Sequence, residues 1–284
     1  MNRNHFGILY VVATPIGNLQ DMGPRAVEVL KTVEGILAED TRHSAPLLQH
    51  FMIDTKMLAL HEHNERQRTA IILERLRQGE SIALISDAGT PLINDPGYFL
   101  VREAIKAGIR VAPVPGPCAL IAALSISGLP TDRFCFEGFL PAKSKHRVQH
   151  LELLRNETRT LVFYEAPHRV MDSLQDMLTV FGGEREVVIA RELTKLYETV
   201  YSGTLSHLLE WVREDENRRR GEIVLIVKGK EKTVQIEEGV SMEHILKILL
   251  AELPLSQAVE LTAKISNQRK NEIYQRALQL NNKA

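Results

Sequence analysis

The segment Asp87-Ala88-Gly89-Thr90-Pro91 sets an acid beside small, turn-forming residues directly after an apolar run. Small residues let a ligand approach the backbone, where successive N–H groups can face it. The acid can accept from a ribose or amino group, or stand near a cation. Pro115-Gly116-Pro117 follows another apolar run. Its prolines lack N–H donors, so it is a wall for packing rather than a cradle for an anion. Together the two segments suit an adenosine with no phosphate to clamp, and S-adenosylmethionine (SAM) is the commonest cofactor of that kind. The usual phosphate and hydrolase signatures are missing: there is no GxGxxG after the first strand, no GxxxxGKS/T, no HExxH and no GxSxG. His61-Glu62-His63 lacks a third ligand at convincing spacing, so no metal is expected.

The elements that must position these residues are short β-branched runs alternating with helix-patterned segments. The runs are Ile8–Val12, Gly35–Ala38, Ser81–Ser86, Arg110–Val114, Thr160–Tyr164, Val187–Ala190 and Ile223–Val227. Such alternation predicts an α/β fold with mainly parallel strands. Asp95-Pro96 opens a helix that Gly108 closes, Gly79 closes one through Ile71, Leu73 and Leu76, and Pro167 opens another. After successive runs come Ala13 to Asn18, Asp87 to Pro91, Pro115 to Pro117, Glu165 to Arg169 and Arg191 to Lys195. Any tight βα turn needs Gly and Pro. Their clustering at one sheet edge is also where open α/β sheets bind ligands.

The chain has 284 residues, 44% of them hydrophobic, which excludes disorder and predicts more than one domain. Residues 1–117 form an N-terminal α/β domain, 118–230 a second α/β domain, and 240–284 a C-terminal helical module beyond the polar linker Lys230-Glu231-Lys232-Thr233. In that module Ser241 and Ser256 are expected helix caps, Leu253-Pro254 a stop and Ser266-Asn267 a turn. From Lys264 to Ala284 the cations Lys264, Arg269, Lys270, Arg276 and Lys283 stand against only Glu272, giving the module a basic end. Overall, 35 Lys+Arg balance 36 Asp+Glu. A general nucleic-acid coat is thereby excluded, and any polyanion must meet a local basic surface. Cys118 and Cys135 form no CxxC pair, which argues against zinc and a disulfide framework. With no signal-peptide core and no uninterrupted apolar span, a cytoplasmic protein that does not enter the membrane is expected.

Longer stretches carry a resemblance. Leu9 to Leu19, Ala38-Glu39-Asp40-Thr41-Arg42-His43, Ser86 to Tyr98, Pro115 to Ala119, Arg133 to Pro141 and Phe163 to Arg169 resemble, in this order, the tetrapyrrole-methylase-type SAM-dependent methyltransferases. Within that family the likeness is to the bacterial branch that acts on small-subunit ribosomal RNA, and it spans essentially the whole chain. The resemblance implies two α/β domains with the SAM cleft between them, a small C-terminal helical domain that contacts RNA, and a homodimer. It implies 2′-O-methylation of a decoding-centre cytidine (1402) in the 16S rRNA of the 30S subunit. The implied cofactor residues are Pro15, Asp87, Ala88, Gly89, Thr90, Pro115, Gly116, Pro117, Cys118, Ala119, Phe163, Tyr164, Glu165, Gly221 and Glu222. Ala13 to Leu19 departs from the glycine-rich, Asp-ending loop of methylases that act on corrin rings, which argues against a porphyrinoid substrate.

Methyl transfer to a ribose hydroxyl needs donor and acceptor held in line, and a base for the hydroxyl proton helps. Candidate bases are Asp40, His43, His61, Glu62, Glu165 and Glu192, and the catalytic set proposed from sequence is Asp40, Arg42, His61 and Glu165. Asp40 or Thr41 could equally cap a helix. Arg42, Arg169, Arg191 and Lys195 are candidates for RNA phosphates or for ion pairs, as are Arg218 to Arg220. Lys143, Lys145, His146 and Arg147 are expected on an exposed loop facing RNA.

Overall fold

The computed structural model describes residues 6–231, 242–266, 268 and 270–281. Of the residues discussed above, Lys232, Thr233, Ser241, Asn267, Arg269 and Lys283 lie outside these. The chain divides into two compact units, Met1–Lys230 and Glu231–Ala284.

The first unit opens with β1 (Ile8–Val12), α1 (Pro24–Thr32), β2 (Gly35–Ala38), α2 (Thr41–His50), β3 (Met57–Ala59), α3 (Glu65–Arg77), β4 (Ile82–Leu84), α4 (Tyr98–Lys106) and β5 (Arg110–Val114). The strands make one sheet in the order β3-β2-β4-β1-β5, and every pairing is parallel. The inner strands β2 and β4 are buried along their whole length. Alternate side chains go to opposite faces. Ile36, Ala38, Ala83 and Ile85 meet Val29 and Leu30 of α1, while Leu37, Ile82 and Leu84 meet α3 and α4 through Leu76 and Leu100. Each fully buried Leu or Ile stabilises by about 2 kcal/mol. Parallel strands direct all their carboxyl ends, and the loops after them, to one edge.

The unit continues through α5 (Ala119–Ile126), β6 (Phe134–Phe139), α6 (Ser144–Leu154), β7 (Thr160–Glu165), α7 (Val170–Phe181), β8 (Glu186–Arg191), β9 (Thr199–Thr204), α8 (Leu205–Glu214) and β10 (Ile223–Val227). Its sheet runs β6-β7-β10-β8-β9. Only β6 and β7 pair in parallel. The other pairings of this sheet are antiparallel, so the expected mainly parallel arrangement holds across the two sheets, five pairings to three, but not within this second sheet. The run Ile223–Val227 is buried throughout, and such a run reads the same in either direction. One face of this sheet packs on α6, α7 and α8 through Phe163, Leu174, Met177 and Leu208. The other packs on α5, and Ile16 from the loop after β1 joins it there. Because β10 runs against β7 and β8, its start lies at the edge where those two strands end: Ile223 sits opposite both Glu165 and Arg191.

The second unit comprises α9 (Met242–Glu252), α10 (Leu255–Ser266) and α11 (Lys270–Asn281) around Leu246, Val259, Ile273 and Ala277. Ser256 lies inside α10 instead of capping it. The helix starts directly after Pro254, whose carbonyl accepts from the Gln257 and Ala258 N–H groups. Lys264 and Lys270 share Glu260, and Arg276 pairs with Glu243, so each of these cations has an acid partner within the module. Among the described residues no helix is long and apolar enough to cross a membrane.

Candidate active site

Loops from both sheets enclose a cavity of about 360 Å³, within the size range of small-ligand sites. From the first sheet come Ile16 after β1 and the segments Asp87 to Thr90 and Ile93 to Asp95 after β4. From the second come Tyr164 and Glu165 at the end of β7, Ala190 and Leu193 around the end of β8, and Glu222 to Val224 at the start of β10. Cys118 and Ala119, at the start of α5, join the two sets.

Backbone pairing fixes the first set. Thr14 and Gly89 exchange N–H···O bonds of 2.8 and 3.1 Å, so the loops after β1 and β4 are tied together. Gly89 has φ +84, and a Cβ there would stand 3.2 Å from Ile16, so this turn requires glycine. Thr90 donates its hydroxyl to the Pro117 carbonyl at 2.9 Å, which anchors the proline segment to the same turn. The Asp40 N–H donates to Asp87 Oδ1 at 3.1 Å, aiming that carboxylate from behind.

The second set is held as firmly. The Leu120 N–H donates to the Tyr164 hydroxyl at 3.2 Å, and burial pushes the Tyr164 phenol well above its ordinary value. Glu192 Oε1 accepts from the Glu222 N–H at 2.8 Å and from Lys195 Nζ at 3.0 Å. Burial works against the Glu192 charge, but these donors outweigh it and hold the carboxyl below the usual value. Gly221 permits the arrangement: at φ +83, a Cβ would lie 2.3 Å from the Glu192 side chain.

Asp87, Ala88, Gly89, Thr90, Cys118, Ala119, Tyr164, Glu165 and Glu222, all read from sequence, line the cavity. Pro15, Pro115, Gly116, Pro117 and Gly221 do not line it; Pro117 anchors Thr90, and Gly221 leaves room for the Glu192 side chain. Phe163 does not reach the cavity; it is fully buried in the core on the helical side. Strand alternation gives the reason, since neighbours of Tyr164 point away from its face. The same rule removes Glu165 as a base. Its side chain is 0% exposed, and it accepts from Arg169 at 2.7 Å and from Ser173 at 2.5 Å. It reaches the lining with its carboxylate turned toward α7.

Asp40 caps α2, accepting from the Arg42 N–H at 2.9 Å and the Arg42 guanidinium at 2.7 Å, which hold its carboxyl far below the usual value. Arg42 is exposed. His61 approaches Asn64 at 2.9 Å through Nε2. None of these three lines the cavity among the described residues. Arg169 and Lys195 are in ion pairs, and Arg191 donates to the carbonyls of Arg220 and Tyr197. The basic segment expected as a loop is the start of α6: Lys143, Lys145 and His146 are exposed, but Arg147 is buried and paired with Asp176 at 2.7 Å.

Sequence reasoning passed over Ile93, Asn94, Asp95, Phe139 and Leu193, which also line the cavity. From sequence, Asp95 reads only as a helix opener. Burial, with Glu39 and Asp87 adding to it and the Ser86 hydroxyl opposing, pushes its carboxyl up to about 6. Burial, and then Asp87, also raises Glu39. Among the described residues the lining thus holds acids and no Lys, Arg or His. Such a cavity suits a cation and disfavours a phosphate.

This two-sheet fold with a cavity at the facing strand edges is that of a methyltransferase, and the chain belongs to the tetrapyrrole (corrin/porphyrin) methylase family, whose model matches residues 8–209. A second model, the RsmI C-terminal HTH domain, matches residues 237–281. The ribosomal RNA small subunit methyltransferase I of Escherichia coli O157:H7 is 55% identical over 276 residues, covering 97% of this chain and 96% of that protein. The protein of the same name from Pseudomonas aeruginosa is 56% identical over 280 residues, covering 98% and 99%. Among solved structures, uroporphyrin-III-C-methyltransferase from Thermus thermophilus is 20% identical with a TM-score of 0.53, covering 78% of this chain and 94% of that one. Diphthine synthase is 13% identical with a TM-score of 0.61, covering 78% and 89%. These last two share the fold.

Proposed function

We propose that this chain transfers a methyl group from SAM to the ribose 2′-hydroxyl of cytidine 1402 in the 16S rRNA of the small ribosomal subunit. The observation that carries the reading is the 55% identity over 97% of the chain to a relative named for that subunit's RNA, with the C-terminal module included. The acid-lined cavity fits the cofactor: a sulfonium brings positive charge and no phosphate. When bound, SAM supplies an electrophilic methyl group.

In this reading Asp87, aimed by the Asp40 N–H, and Glu222, set by Glu192, face the cationic part of the cofactor, and the backbone from Ala88 to Thr90 takes its polar edges. Ile16, Leu193 and Val224 give apolar walls that exclude water. Holding both reactants in near-attack geometry supplies much of the rate. Lys143 and Lys145 are exposed cations that meet RNA phosphates, Arg42 is exposed but already paired with Asp40, and the C-terminal module adds RNA contacts. The active form is a homodimer. The test is transfer of labelled methyl from SAM to purified 30S subunits lacking the modification, followed by nuclease mapping. Label at cytidine 1402 is expected, and SAM binding without label in RNA would overturn the assignment.

A further inference from the structure

The cavity lining holds the acids Asp87, Asp95, Glu165 and Glu222. Three are already engaged. Asp87 is fixed by the Asp40 N–H, Glu165 is turned toward α7 and paired with Arg169, and Glu222 pairs with Lys195 at 3.1 Å and is largely exposed. The remaining titratable groups of the lining are Cys118 and Tyr164. A thiol is a weak hydrogen-bonding group, and the Tyr164 oxygen already accepts from Leu120. Asp95 is left. It follows a loop in which Leu92 and Asn94 adopt φ values of 73 and 67, a conformation costing of order 1–3 kcal/mol per residue that persists where the surroundings enforce it, as at active sites. That loop places Asp95 in the cavity lining.

We infer that Asp95 is the catalytic residue that accepts the ribose 2′-hydroxyl proton, an inference resting on the methyl-transfer reading above. The bond from ribose oxygen to methyl carbon forms as the methyl–sulfur bond breaks, with that electron pair remaining on sulfur. The hydroxyl proton passes to the Asp95 carboxylate and then to solvent, so one neutral thioether and one protonated acid balance the sulfonium and the carboxylate. The groups facing Asp95 suit this role. Burial is the main cause opposing its charge, Glu39 after β2 and Asp87 after β4 add repulsion, the Ser86 hydroxyl favours the ionised form, and the Tyr164 phenol faces it from β7. A carboxyl poised near 6 is charged at neutral pH yet holds a proton far better than an ordinary aspartate, and a base so matched contributes 10²–10⁴-fold.

The test uses the full-length protein, SAM and 30S subunits lacking the methyl group. With saturating SAM, Asp95→Asn should lower the single-turnover rate by about 100-fold or more, while calorimetry gives a SAM Kd within about threefold of the original. The unmodified enzyme should lose activity through a single protonation near pH 6, and the carbon-13 resonance of the Asp95 carboxyl in the ligand-free protein should titrate there. An Asp95→Asn enzyme that binds SAM poorly but keeps its rate at saturation would make Asp95 a cofactor ligand and overturn the inference. A full rate together with full affinity, or a carboxyl that titrates near 4 as ordinary aspartates do, overturns it as well. If the unmodified enzyme transfers no methyl to 30S subunits, the methyl-transfer reading itself fails, before any variant is made.

Discussion

The N–H of Asp40 donates to the carboxylate of Asp87 across 3.1 Å, joining the loop after β2 to the loop after β4. Asp40 was a candidate base from sequence. In the fold its side chain caps α2 and its backbone aims the neighbouring acid at the cavity.

Replacing Asp87 with Ala therefore removes a fixed negative charge from the lining and leaves the Asp40 N–H without its acceptor. A hydrogen bond to a charged group contributes about 1.5–3 kcal/mol, so SAM affinity should fall by about 10–100-fold in calorimetry. Asp87→Asn, which keeps an acceptor, should fall less. Unchanged affinity for Asp87→Ala would remove this loop from the site.

Glu165 is predicted to matter for stability. Its buried carboxylate meets Arg169 and Ser173, and Glu165→Ala leaves the mostly buried Arg169 guanidinium unpaired. Breaking a buried pair in this way costs about 3–5 kcal/mol. Urea unfolding should show that loss, and SAM affinity of the folded variant should change little. A drop in affinity without a drop in stability would return Glu165 to the site.

Legibility from sequence followed burial. The strand runs recovered from sequence include every inner strand of both sheets, while the three passed over, β3, β6 and β9, are edge strands with half-exposed patterns. Edge strands have one unpaired side and need no continuous apolar run, and Thr199–Thr204 has none. The Asp87 turn was found because its small residues are local signals. Phe163 was misassigned to the lining, and Glu165 to the role of base, because a motif names consecutive residues whereas a strand alternates their faces. Asp95 was missed because its role depends on Glu39 and Asp87, 56 and 8 positions away, which only the parallel sheet brings beside it.

The raised Asp95 carboxyl has a consequence for stability. Its value in the fold, about 6, lies above the ordinary 3.8, so between those values the folded state binds more protons than the unfolded chain. Stability from this group is therefore greatest below about pH 4 and is lost as pH rises through 6. Asp95→Asn, which cannot ionise, should unfold at higher urea than the unmodified protein at pH 7.5, and the gap should close toward pH 4.5. An equal gap at both values would contradict the raised proton affinity.

Gly221→Ala should disturb the second half of the cavity. A Cβ would strike the Glu192 side chain at a backbone angle that favours glycine. A loss of more than about 1 kcal/mol in stability is expected, together with weaker SAM binding as Glu222 shifts. Ending the chain after Lys230, at the boundary of the first unit, should instead leave SAM affinity intact and depress methylation of 30S subunits, more steeply as salt rises.

The most direct test is nucleoside mass spectrometry at position 1402 of 16S rRNA in cells that lack the endogenous methyltransferase. The unmodified chain should restore 2′-O-methylcytidine there, and Asp87→Ala should restore little. A chain that binds SAM yet leaves cytidine 1402 unmethylated, or an Asp87→Ala chain that restores it fully, would contradict the account.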